Sequence, residues 1–308
     1  MLRMSLICVV LLAPLLQACR SSDEGGADVV ATTTHVADLA RNVAGEGLEV
    51  HGILAPNSDP HDYEPRPSDA TALASASVVL TSGGEVDEWA DELIESSGTE
   101  AEVISLLAAA PVTRTLGGET DPHWWHDPRN AVAAVETIRD ELSDADPGGA
   151  DAYEENADAF IGAIQRSDRN VAECMAFLEG DERKLVSAHD SLGYFADRYD
   201  IEIVGAAVPA LSTQAQASTG ETADLVNLLR AEDVRAVFPE AGLQGDLEEA
   251  IADEAGVIVG DSLYADSLGA EGTPGATHLS AFEANAAAMF KGLASGESRP
   301  CPLPETGR

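Results

Sequence analysis

Residues 150–179 contain no proline and a single glycine, Gly162. Within them Tyr153, Ala157, Phe160, Ile164, Val171, Cys174 and Leu178 recur at three- and four-residue steps, and only Ser167 interrupts the apolar stripe. That period predicts one long amphipathic helix in the middle of the chain. Asp146-Pro147-Gly148-Gly149 stops the preceding element and restarts the backbone just before it. On both sides the pattern changes to short β-branched runs separated by helical stretches. Strands are expected near residues 29–33, 49–54, 78–82 and 102–106, and again near 184–188, 201–206, 235–239 and 257–260. Helices are expected near 36–44, 68–75, 85–96 and 130–143, then near 191–199, 221–231, 245–255 and 276–294. Such alternation specifies parallel sheets covered by helices. The expected fold class is α/β: two lobes, each with a four-stranded parallel sheet and surrounding helices, joined by a long rigid helix. A chain of 308 residues is long enough for both.

The first eighteen residues read as a secretion signal, with Arg3 ahead of a mostly apolar run over 6–16 that is too short to span a bilayer comfortably. Leu16-Gln17-Ala18-Cys19 resembles the lipobox of bacterial lipoproteins, in which the cysteine is lipidated and becomes the new N-terminus. Gln17 is an unusual occupant, and the alternative is ordinary signal cleavage with a free thiol. The polar residues 19–27 suit a flexible tether. The expected organisation is therefore 1–18 signal, 19–27 tether, 28–147 N-terminal lobe, 148–180 linking helix and 181–308 C-terminal lobe. The body is expected outside the cytoplasm, held to the cell membrane by its lipid alone. Cys8 leaves with the signal and Cys19 carries lipid, so Cys174 and Cys301 remain in a compartment that permits disulfides. They are expected to pair.

Charge narrows the partners. Fifty-five acidic side chains against 17 Lys and Arg give −38. Nucleic acid is excluded as a partner, because phosphate binding needs clustered basic groups. An anionic membrane surface repels the folded body for the same reason. Cations are the natural small partners of such a field, although acidity alone selects no function.

Seven histidines are present, in different contexts. His51 alternates within a strand pattern and reads as a surface or structural residue. His35 and His278 open helical stretches, where a polar residue is unremarkable. His61, in Asp59-Pro60-His61-Asp62-Tyr63-Glu64-Pro65, follows the second strand, and His123, in Asp121-Pro122-His123-Trp124-Trp125, follows the fourth. His189 follows the first strand of the second half, and Asp266, in Tyr264-Ala265-Asp266-Ser267-Leu268-Gly269, follows its last. Ligands of open parallel sheets bind beyond the carboxyl ends of the strands, so each half offers two donors to one cleft. No HExxH and no paired CxxC is present, and spacing alone leaves ligand and packing roles both open.

These segments, with His189-Asp190-Ser191-Leu192-Gly193-Tyr194-Phe195 and with Asp146-Pro147 followed by Tyr153 and Asn156, resemble the zinc/manganese solute-binding lipoproteins of bacterial ABC transporters. They run in that family's order over about residues 29–294. The resemblance implies two α/β lobes bridged by a rigid helix, with a metal in the cleft held by His61, His123, His189 and Asp266. Asp261 is a neighbour that competes for the fourth position, but the Asp-Ser-Leu-Gly context favours Asp266. Manganese-preferring members tend to carry a carboxylate where this chain has His189. Three imidazoles and one carboxylate suit Zn²⁺, with Mn²⁺ as the alternative. Glu240, ending the 235–239 run, is expected either to orient a ligand histidine or to be solvated. His126 is expected to be auxiliary or a surface residue, in a position where the family usually has an apolar or amide side chain. Trp124 and Trp125 read as packing around the site. The family's His-rich loop before the second ligand has no counterpart in residues 111–120, which are short and lack histidine.

The expected function is a non-enzymatic, monomeric receptor that captures Zn²⁺ in the cleft and delivers it to an ABC permease. A zinc hydrolase would need an open metal position, a bound water and a general base, a role into which Glu240 could be pressed, but no nucleophile or base motif accompanies the histidines. An adhesin whose histidines only pack is the third reading, and it predicts no stoichiometric metal uptake.

Overall fold

The computed structural model describes residues 28–295, 301 and 303; the expected signal, Cys19 and the expected tether lie outside them. The first lobe runs β1 (Val29–Ala31), α1 (Thr34–Ala44), β2 (Val50–Gly52), α2 (Pro67–Ser75), β3 (Val78–Thr81), α3 (Trp89–Ser97), β4 (Glu102–Ser105) and α4 (Leu106–Ala109). Its four strands are parallel in the order β2-β1-β3-β4, with Val29 opposite both Val50 and Val78, and Val78 opposite Glu102. The central strands β1 and β3 are buried along their whole length, which explains their unbroken apolar sequence. β2 and β4 are edges, and His51 points to solvent as expected.

A hairpin of β5 (Thr115–Leu116) and β6 (Glu119–Thr120) follows, turned by Gly117 and Gly118, both at positive φ. It occupies the segment read above as a plain short loop. Then come α5 (Pro128–Ala145), capped by the Asp127 carboxylate and started by proline at its first position, and α6 (Ala150–Met175).

At 26 residues, α6 is about 39 Å long. Its buried stripe serves two cores in turn. Tyr153, Ala157, Phe160 and Ile164 belong to the first lobe's core, with Leu39, Val43 and Ile138. Val171, Cys174 and Met175 belong to the second, with Phe195, Phe282 and Met289. Ser167, the interruption in the sequence stripe, is buried between the two groups. Burying each large apolar side chain contributes about 1.5–3 kcal/mol, so the helix is anchored at both ends.

The second lobe continues with β7 (Lys184–His189), α7 (Gly193–Tyr199), β8 (Glu202–Val208), α8 (Thr219–Ala231), β9 (Ala236–Val237), α9 (Asp246–Ala255), β10 (Ile258–Val259) and α10 (His278–Leu293). Here the sheet consists of two parallel pairs, β7 with β8 and β9 with β10. A single parallel bridge between Ser187 and Phe238 joins the pairs, giving the order β8-β7-β9-β10. Cys174, at the end of α6, is disulfide-bonded to Cys301, and Leu303 is buried in the same cluster. Among the described residues no helix is long and apolar enough to cross a membrane.

Candidate metal centre

In both sheets the strand order reverses beside the first strand, between β1 and β3 and between β7 and β9. The loops leaving the carboxyl ends there face each other across the cleft. His61 and His123 arrive from one side, His189 from the end of β7, and Asp266 from the loop after β10.

The repeated Asp-Pro-His triplet has a local mechanism. In each copy the aspartate Oδ1 accepts the backbone N–H of the histidine two residues on, at 2.9 Å for Asp59 with His61 and 3.0 Å for Asp121 with His123. Proline between them fixes φ for the turn, so the motif sets the histidine backbone before any tertiary contact forms. Trp89 Nε1 then donates to the Pro60 carbonyl at 2.9 Å, and Trp124 Nε1 to the Ser82 carbonyl at 3.2 Å. A second backbone bridge, Glu240 with Leu263, runs beside β9 and holds the chain that leads to Asp266. The Asp266 N–H donates to Glu240 Oε1 at 3.3 Å.

All four side chains are buried, and one donor atom from each lies within 4.8 Å of the others. His61 and His189 Nε2 lie 3.3 and 3.2 Å from Asp266 Oδ2, and His123 Nε2 lies 3.3 Å from Oδ1. His123 and His189 Nε2 are 3.4 Å apart. Donors around a tetrahedral metal with bonds near 2.0–2.1 Å are separated by about 3.3–3.4 Å, and these four contacts, which use both Asp266 oxygens, are close to that length. His61 Nε2 and both Asp266 oxygens are buried without a hydrogen-bond partner, a costly arrangement unless a cation completes it.

The outward nitrogens face carboxylates. His123 Nδ1 bonds Asp121 Oδ1 at 2.8 Å, which leaves Nε2 as the bare lone pair. His189 Nδ1 lies 2.9 Å from Glu240 Oε2, a charge contact rather than an aligned hydrogen bond. Burial by itself lowers both imidazoles, but Asp266 with Asp121 outweighs it at His123 and lifts that pKa to about 9. At His189, Asp266 and Glu240 do the same. Burial also pushes Asp266 up, and the His189 and His123 charges overcome it and hold the carboxylate well below its usual range. Glu240 moves the other way, raised by burial and by Asp266.

Several expectations change here. Glu240 is buried against His189, not solvated. His126 is also buried, so the surface reading fails; its Nε2 donates to the Ala265 carbonyl at 3.0 Å, beside Trp125 Nε1 at 2.9 Å. Asp261 lies outside the cluster and pairs with Lys291 at 2.7 Å on the surface. The orienting carboxylate of Asp121 was not anticipated, although its place two residues before His123 is visible in the sequence. Replacing Glu240 by glutamine should weaken metal binding about 10–100-fold, as losing a carboxylate behind a ligand histidine commonly does. Competition against a chromophoric chelator measures it, and an unchanged affinity would refute the orienting role.

A family described as zinc-uptake complex component A, periplasmic (ZnuA), matches residues 29–292. The chain is 31% identical over 307 residues to the manganese-binding lipoprotein MntA of Bacillus subtilis, covering 95% of this chain and 100% of that one. It is 28% identical over 268 residues to the iron-binding protein YfeA of Yersinia pestis, covering 86% of each. Among solved structures, the periplasmic zinc-binding protein TroA of Treponema pallidum superposes with a TM-score of 0.82 at 25% identity, covering 88% of this chain and 100% of that one. The chain belongs to the ZnuA family, the metal-binding substrate-binding lipoproteins of ABC transporters.

Proposed function

We infer that the protein is an extracytoplasmic receptor, anchored through lipid on Cys19, that binds Zn²⁺ at His61, His123, His189 and Asp266 and hands it to an ABC permease. The observation carrying this reading is the buried cluster of four donors within 4.8 Å of one another, in which His61 Nε2 and both Asp266 oxygens have no hydrogen-bond partner. Three imidazoles and one carboxylate make a nitrogen-rich set suited to zinc. Four protein donors close the coordination sphere, which serves capture and leaves no position for a reacting water, in keeping with a family of solute-binding receptors. Manganese is the second reading, favoured by the names of the MntA relatives.

Calorimetric titration of the chelator-stripped protein with each metal tests the choice. One equivalent of Zn²⁺ is expected, retained against a hundredfold excess of Mn²⁺. Displacement by that excess would give the site to manganese, and no uptake of either would leave only a packing role.

The pH dependence follows from the raised imidazoles. In the metal-free protein His123 holds its proton up to about pH 9, and a metal must displace it. Apparent affinity should therefore climb through neutral pH toward about 9, by roughly tenfold per pH unit for each proton displaced. Affinity that is flat from neutral pH to pH 5 would contradict histidine ligation.

A further inference from the structure

Three histidines outside the metal centre are buried beside it: His35 near the start of α1, His126 after His123, and His278 at the start of α10. His35 belongs to the first lobe and His278 to the second. Their Nδ1 atoms meet 3.2 Å apart across the interface, 243 residues apart in sequence, with the rings edge to face. His35 stacks on Trp125 at 5.2 Å, and Trp125 and His126 both bond the carbonyl that precedes Asp266. The imidazole contact thus adjoins the loop that carries the fourth ligand.

A metal is the wrong occupant here. Only two nitrogens converge, and among the described residues no other group brings three metal donors together besides the one above. Both imidazoles also sit in first helical turns, whose positive dipole ends disfavour added positive charge. The same surroundings disfavour a proton. One Nδ1–H donates to the other ring's bare Nδ1, so a doubly protonated pair would set two N–H groups against each other.

We propose that the His35–His278 contact is a proton-operated latch between the lobes: neutral, it closes the cleft beside Asp266, and protonated, it favours an opened form that holds metal weakly. This rests on the receptor reading above. The other groups facing the pair are His126, the Asp266 charge, and Asp38, whose Oδ2 accepts the His278 backbone N–H at 2.9 Å. Burial, then His278 and His126, push His35 well below its ordinary value, with Asp266 opposing. Burial brings His278 to about 4. The closed form therefore refuses a proton that an opened, hydrated form accepts near 6.5. The latch is at full strength above about 6.5 and weakens as pH falls toward about 4. At pH 5, His278 alone would favour opening by about 20-fold relative to neutral pH.

His35→Gln and His278→Gln keep a hydrogen-bonding side chain but cannot take up a proton. Trp125 emission and the radius of gyration of the metal-free protein, followed from pH 7.5 to 4.5, should show opening in the wild type and at least tenfold less at pH 5 in either variant. At pH 7.5 zinc affinity should stay within about twofold of wild type, and at pH 5 the variants should bind at least tenfold tighter. Identical opening profiles in all three proteins would overturn the latch. Failure of the receptor reading would show separately, as no metal uptake by the wild type at pH 7.5. Should the variants fail to fold, NMR of ring-labelled histidine in the wild type decides. Titration of His35 and His278 near 6.5 without a change in radius refutes the proposal, and their uptake of protons only together with expansion supports it.

Discussion

Replacing Asp266 by asparagine is expected to lower zinc affinity by roughly 10²–10³-fold. Four-donor zinc sites are worth about 10–16 kcal/mol, so one donor accounts for about 3–4 kcal/mol. A second effect follows from the electrostatics. Asp266 is the main charge that raises His123 and His189 against their burial. Without it both imidazoles lose protons more readily, and fewer protons leave when the metal binds. Titration in buffers of different ionisation enthalpy reads that number, which should drop in the variant. Asp261→Asn is the control: its carboxylate pairs with Lys291 on the surface, so affinity and proton release should match the wild type. Unchanged affinity in Asp266→Asn would remove this residue from the ligand set.

The other large effect is expected at the disulfide. Cys174 and Cys301 close a loop of 127 residues. In the chain-entropy treatment such a bridge stabilises by at most about 4–5 kcal/mol, chiefly by restricting the unfolded chain. Cys301→Ser should therefore lower the unfolding midpoint of the metal-free protein by about 10 °C. The bridge lies in the second lobe's core, whereas the proposed ligands lie at the cleft, so metal stoichiometry should be unchanged. A scan with and without reductant measures it. Equal midpoints would mean that the packing of Leu303 holds without the bond.

The sequence showed the alternation of strands and helices and the long helix because each depends on short-range periodicity. That His61, His123, His189 and Asp266 come together was partly legible, because Asp-Pro-His is a local turn at His61 and His123 and because strand ends are where such sheets bind; their role as ligands was implied by the family resemblance. What stayed hidden depends on distant contact. Nothing near His35 announces His278, since the pairing forms only when α1 and α10 meet across the cleft. His126 looked like a surface residue because its apolar neighbourhood comes from the Ala265 loop, 139 residues further on. β9 and β10 are only two residues long, and Ile258 and Val259 are exposed at the sheet edge, so the longer runs expected there were shortened by tertiary placement. The hairpin at 115–120 rests on two glycines and carries no apolar pattern.

The single stripe of α6 fixes more than rigidity. Because one continuous helix enters both cores, the rotation of one lobe about the other is set by the count of residues between Ile164 and Val171. One residue added near Ser167 would turn the second lobe by about 100° and shift it by about 1.5 Å, leaving each core intact while swinging His189 and Asp266 away from His61 and His123. The relative orientation of the lobes is thus stored as an angular phase in the helix: seven inserted residues, about two turns, would nearly restore that phase but would carry the second lobe about 10.5 Å along the axis and still part the four side chains.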